Sequence, residues 1–209
     1  MSVKKRWILV SSISVAGIIV IVVGVVLGLY YNPNLNFKLG LPFQMDDIDN
    51  YIMVVDAHDD KGGPAGPGGA QNDNDAIHIM PKDNEKYITV YAPIGGKITN
   101  IVWTTIQNQF DQPKNYCVGV SLSLGLGCEV HFNVENYSPD LAIQTLQKEL
   151  MFVKKGKKVK QGDPLFTFVS AGKGAHVCYS IFTSKGRYHP FDFMTEENIA
   201  ILNSISGSK

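Results

Sequence analysis

The 209-residue chain has no surplus of charge: 19 basic residues cancel 19 acidic ones. A nucleic-acid partner ordinarily demands a basic excess, so no nucleic-acid partner is expected. Cysteine is scarce, with three in all, which excludes a disulfide-dense scaffold. Cys117 and Cys128 stand eleven apart in a hairpin-like segment, so an oxidising exterior would make them the expected pair and leave Cys178 as a free thiol. No internal repeat is present, which removes solenoids and propellers. Helix signals are almost missing too. Before the C-terminal tail only Ser138-Pro139-Asp140 reads as a helix start, with Ser as N-cap and Pro in the first helical position. Leu141, Ile143, Leu146 and Leu150 give that helix an apolar side. Thr195-Glu196-Glu197 opens a second helix, backed by Ile199, Ile201 and Leu202.

What is present begins with an uncharged, Ile- and Val-rich run from Trp7 to Tyr31, long enough to cross a bilayer. Lys4-Lys5-Arg6 precede it, and aromatic residues mark both ends. A cleaved secretory signal is the alternative, against which stand the length of the run and the lack of an A-x-A-like site after it. Either way the basic cluster stays inside and the remainder lies outside the cytoplasm. The division expected is a cytoplasmic tail at 1–6, a transmembrane helix at 7–31 with the lipid bilayer as partner, a stalk at 32–50 with a few extended residues that dock, an extracytoplasmic β-domain at 51–193 and a helical tail at 194–209. The cell membrane, single-pass, is the expected location.

Short β-rich segments fill the domain: 51–55, 76–80, 87–91, 97–105 and 116–134, the last interrupted by Gly119, Gly125 and Gly127. Between the first two lies DDKGGPAGPGGAQNDN at 59–74, which cannot hold a regular element. A lysine-rich turn centres on Gly156, and Gln161-Gly162-Asp163-Pro164 makes another. The strand from Leu165 to Val169 is apolar on both faces and is expected to be buried on both. In the following strand His176, Cys178 and Ser180 share a face, because strand side chains alternate. Many short strands with turn signals between them argue an all-β barrel or sandwich.

The blocks VYAPIGGKI (90–98), VKKGKKVKQGDPLF (153–166) and GAHVC (174–178), in that order with histidines on the strands, resemble the lysostaphin-like zinc endopeptidases that cut peptidoglycan cross-bridges. The resemblance spans roughly 76 to 183. It implies a duplicated-hybrid-motif β fold, a barrel-sandwich hybrid with a short inserted helix. It also implies a zinc held by His, Asp and His, with two further histidines in catalytic roles and an open coordination position. Carried over by position, His78 is the first ligand, Asp83 stands one residue beyond the family's Asp, and Cys178 replaces the second ligand histidine of H-x-H. His131 and His176 take the catalytic places. A thiolate binds zinc well but donates more charge and weakens its Lewis acidity, and a one-residue slip can turn the Asp83 carboxylate away.

Three functional readings follow. The first is a membrane-anchored, non-catalytic module with a peptidase-like fold that binds a cell-envelope polymer or envelope protein. It rests on the altered ligand set. The second is a working zinc endopeptidase using His78, Asp83 and Cys178 with His131 and His176. The third is a lipoyl-like membrane-fusion adaptor, which shares the central block. An adaptor usually inserts a long helical hairpin where this chain carries mostly β structure.

Overall fold

The computed structural model describes residues 17–27, 36–44, 52–58, 75–81, 87–106, 115–125, 127–136, 138–171, 175–184 and 186–205; for 52–58, 75, 106 and 115 only the backbone path is given. The structure is mostly β, with short helices. The strands are β1 (Ile52–His58), β2 (Asp75–Pro81), β3 (Tyr87–Tyr91), β4 (Gly96–Ile106), β5 (Asn115–Gly125) and β6 (Cys128–Glu135), followed by helix α1 (Leu141–Glu149). Then come β7 (Lys158–Val159), β8 (Pro164–Val169), β9 (His176–Thr183), β10 (Gly186–Tyr188), a 3₁₀ turn (Pro190–Phe193) and helix α2 (Glu196–Ile205).

An eight-stranded antiparallel sheet runs β1-β2-β9-β6-β5-β4-β7, with β10 beside β9, and a second sheet pairs β3 with β8. Period-two alternation sets which side chains face in. Val118, Val120 and Leu122 on β5, Val130, Phe132 and Val134 on β6, and Val177, Tyr179 and Ile181 on β9 are all buried. They share one core with Ile88 and Val90 of β3 and Leu165, Phe166 and Phe168 of β8, so the small sheet covers one face of the large one. β8 is buried on both faces, as its double apolar pattern requires. The opposite face of the large sheet carries the polar alternates: His78 on β2, His176, Cys178 and Ser180 on β9, and Glu129, His131, Asn133 and Glu135 on β6.

Residues 36–44 belong to this body. Leu39 and Phe43 are buried in the core, Leu39 bridges Met194, and Leu39 N–H donates to Phe193 C=O at 2.8 Å. Helix α1 departs from expectation in two respects. Its N-cap is Asp140, whose side chain accepts from Ala142 N–H, while Ser138 is buried and accepts from Asp140 N–H. Its buried residue is Gln147, not the leucines; Leu141 is 61% exposed.

The Cys117–Cys128 pairing is corrected. All three cysteines are free and buried. Cys117 lies opposite Glu135, at the far end of β6 from Cys128, and seven strand residues amount to about 23 Å, far beyond disulfide reach. The segment is a hairpin, but the cysteines sit at its two different ends. In the expected span 7–31, a helix occupies 17–27 with Ile18, Ile19 and Val20 exposed, and the rest lies outside the described residues. Among the described residues no helix is long and apolar enough to cross a membrane.

Candidate functional site

The register of three strands places the polar face in rows. His78 on β2 is directly opposite Cys178 on β9, which is opposite Asn133 on β6. One row along, His176 faces Glu135, and Glu135 faces Cys117 of β5. On the other side, Ser180 faces His131, which faces Ser121. Directly opposed residues in an antiparallel pair project to the same face. His78, His176 and Cys178 are therefore neighbours, and His131 stands on the same face. Asp83 lies outside the described residues.

The local contacts are specific. The His78 and His176 rings lie 4.4 Å apart between centroids, tilted at 32°. His176 Nε2 is 3.9 Å from Glu135 Oε2, while Asn133 Nδ2 donates to Glu135 Oε1 at 2.6 Å. Cys178 Sγ accepts from the Arg187 guanidinium at 3.3 Å. Arg187 comes from β10, where it is opposite Phe182, and its guanidinium carbon lies 5.5 Å from the Phe182 ring centre.

His131 is seated on Gly119. A Cβ at position 119 would come within 3.2 Å of the imidazole, so glycine makes room for the ring. Its Nδ1 is 3.2 Å from Ser121 Oγ, and its ring meets Phe182 edge-on at 5.4 Å. Burial pushes the His131 pKa below the usual histidine value, and the charge of Arg187 pushes it the same way; Glu129 opposes both. The ring is therefore neutral near pH 7. The two hairpin-end thiols are protonated: burial, and then Glu129, push Cys128 up to about 11. Burial also raises Cys117, against a hydrogen-bonding contact with Thr104 and with a smaller push from Glu135.

Beyond Phe182 the polar face opens into a groove of about 700 Å³ lined by Ser123, Gly125, Gly127, Glu129, Phe182, Thr183 and Ser184. Thr99 Oγ1 donates to Glu129 Oε1 at 3.0 Å and holds that carboxylate in place.

The zinc that the resemblance implies would draw on His78, Asp83 and Cys178, of which Asp83 lies outside the described residues. Among the described residues no group of three or more His, Cys, Asp or Glu is arranged to hold a metal ion. At Cys178 the Arg187 guanidinium already donates to the sulfur. A second cation at that sulfur would meet Coulomb repulsion at short range. What remains is a polar, hydrogen-bonding surface of imidazole, carboxamide, carboxylate and guanidinium groups.

Sequence reasoning singled out His78, Asp83, His131, His176 and Cys178, of which the structure brings His78, His131, His176 and Cys178 to one face of the sheet. It missed Glu135 and Asn133, although both follow His131 at period two and were open to the same argument. Arg187 had no signal, because only the turn after β9 aims it back over that strand. His189 also lacked a stated role; it is buried, and its Nδ1 accepts from Phe191 N–H to cap the 3₁₀ turn.

No family model and no curated protein matches the chain. Among solved structures, Helicobacter pylori Csd3 in two crystal forms is similar to it, with 12% identity and TM-scores of 0.41 and 0.42. The match covers 80% of this chain but 38% and 40% of the Csd3 chains, so this chain spans well under half their length. A likeness this slight assigns neither fold nor activity.

Proposed function

We propose that this protein is a membrane-anchored, extracytoplasmic module with a β fold of the duplicated-hybrid-motif, peptidase-like kind, and that it is a binding module rather than an enzyme. Residues 7–31 anchor it in the lipid bilayer. The polar face from His78 to Glu129 binds a cell-envelope polymer or an envelope protein. One observation carries the non-catalytic reading: Arg187 donates to Cys178 Sγ where the resemblance places a zinc ligand. The groove past Phe182 supports polymer binding, since it joins hydroxyls and a fixed carboxylate to an exposed aromatic edge. Aromatic faces and fixed polar groups are what polar ligands bind against.

The test is the zinc content of residues 32–209 purified under reducing conditions. The expected result is no retained zinc, the same in wild type and Cys178→Ser. About one zinc per chain, lost in Cys178→Ser, would restore the zinc endopeptidase as the function.

A further inference from the structure

The lysine-rich turn is not absorbed by the function above. Lys154, Lys155, Lys157, Lys158 and Lys160 are all exposed, and so is Lys97 on the neighbouring strand. β7 is the edge of the large sheet, and there Lys97 lies directly opposite Lys158. Like charges directly opposite on adjacent strands destabilise the pair. A few edge lysines would suffice to discourage strand addition, but this strip gathers six. None of them has a salt bridge among the described residues. The one carboxylate between 152 and 163, Asp163, is spent on the backbone, accepting from Lys160 N–H at 2.8 Å. The turn is also held firmly. Gly156 takes φ +92°, its N–H donates to Ile98 C=O, and Lys157 C=O accepts from Ile98 N–H. Phe152, at the base of the turn, is 44% exposed, and its C=O accepts from Lys157 Nζ at 2.9 Å. Removing these six leaves 13 basic residues against 19 acidic ones, so the rest of the chain carries a formal charge of −6.

The position of this strip relative to the N-terminal segment says which anion it meets. Residues 36–44 dock beside the following turn. Gly40 N–H donates to Pro93 C=O, a Cβ at Gly40 would run into the Gln161 side chain, and Gly162 N–H donates to Ala92 C=O. From residue 31 to residue 36 is five peptide steps, at most about 18 Å fully extended. A bilayer ending at Tyr31 would therefore lie within reach of the lysine strip. We infer that the strip Lys97, Lys154, Lys155, Lys157, Lys158 and Lys160, with Phe152, is a docking surface for anionic phospholipid headgroups of the membrane that anchors the chain. The inference rests on the proposed anchoring by residues 7–31. Lysines supply attraction to the headgroups, and the exposed aromatic ring enters the interface.

The experiment uses the full chain reconstituted into vesicles of phosphatidylcholine alone or mixed with phosphatidylglycerol, digested with trypsin, with cleavage after Lys154 to Lys160 followed by mass spectrometry. Cleavage in the anionic vesicles is expected to be at least about tenfold slower at low salt, and the difference should shrink as salt rises. The double variant Lys155→Gln/Lys158→Gln leaves three cleavable lysines and should weaken the attraction about fivefold per lysine removed, enough to erase a tenfold protection. Equal cleavage in both vesicles, with the chain resisting a carbonate wash, overturns the docking surface and leaves the anchor standing. Release of the chain by carbonate overturns the anchor itself. Inorganic polyphosphate that protects the turn in neutral vesicles as strongly as phosphatidylglycerol does would make this a site for soluble polyanions and overturn membrane docking.

Discussion

Among the described residues Tyr179 is the largest side chain that is fully buried, stacked on Phe132 with ring centres 5.1 Å apart. Its hydroxyl has no hydrogen-bond partner among the described residues, and burial drives its pKa far up, so the proton stays on. An unsatisfied buried hydroxyl costs about 1–3 kcal/mol. Tyr179→Phe keeps the ring stack and removes that cost, so the variant should be as stable as wild type or more stable by about 1 kcal/mol. A urea midpoint that falls in the variant would show that the hydroxyl is satisfied after all. His131 makes a pH argument at the same scale. Its folded-state pKa lies below its unfolded value of 6.5, so the unfolded chain takes up the proton first as pH falls. The stability that goes with the neutral ring is complete above 6.5 and is lost as pH drops through the folded pKa. His131→Gln should flatten that acid-side decline, which sets in below about pH 6.5. Denaturation curves with the same slope against pH in both proteins would remove His131 as the cause. The imidazole itself was legible in the sequence; the guanidinium that helps keep it neutral was not, because no strand periodicity leads to Arg187.

Among elements, α1 shows most clearly what a sequence pattern leaves out. Its apolar stripe marked a helix with an inward side, and the helix is there, but the residue that fixes it to the sheets is Gln147. The Gln147 side chain accepts from Asn136 Nδ2 and from Val169 N–H, and donates to Thr167 C=O at 2.8 Å. Asn136 Nδ2 also donates to Val169 C=O. Gln147→Ala would strand the Val169 N–H and the Thr167 carbonyl and take one of two partners from the Asn136 carboxamide, at a cost of roughly 3 kcal/mol. Thr145→Ala on the exposed side of the same helix should cost less than about 1 kcal/mol. Comparable denaturant midpoints for the two variants would count against the network. A glutamine amid leucines reads as a solvent position, since polar residues are buried only when every polar atom finds a partner. Those partners come from β8 and from the end of β6, twenty and eleven residues away. The strands were more readable than the helix: β3 and β8 fall where alternation and turn residues put them. The ends of the β5–β6 hairpin did not, because the glycines at 125 and 127 locate its turn just before Cys128 and so separate the two cysteines.

For the molecule as a whole, the all-β class was legible because short alternating strands and glycine turns recur along most of the domain. The polar face was legible in part, since period two groups residues within a strand while the pairing of β2 and β6 with β9 is decided by the fold. The closing of the chain on itself was less visible. Residues 36–44 lie in the segment read as a stalk with a few extended residues that dock; which residues dock, and where, had no signal: Leu39 is buried and hydrogen-bonded to Phe193, and Asn198 Nδ2 donates to Leu39 C=O. The chain thus enters the body at the same corner where it turns into α2. Tension applied from the N-terminal side reaches this clasp before it reaches any rung of the β ladder, and the clasp is a few backbone bonds that can be peeled in turn. The sheet, with its polar face and its lysine edge, is mechanically sheltered from a pull applied at that side.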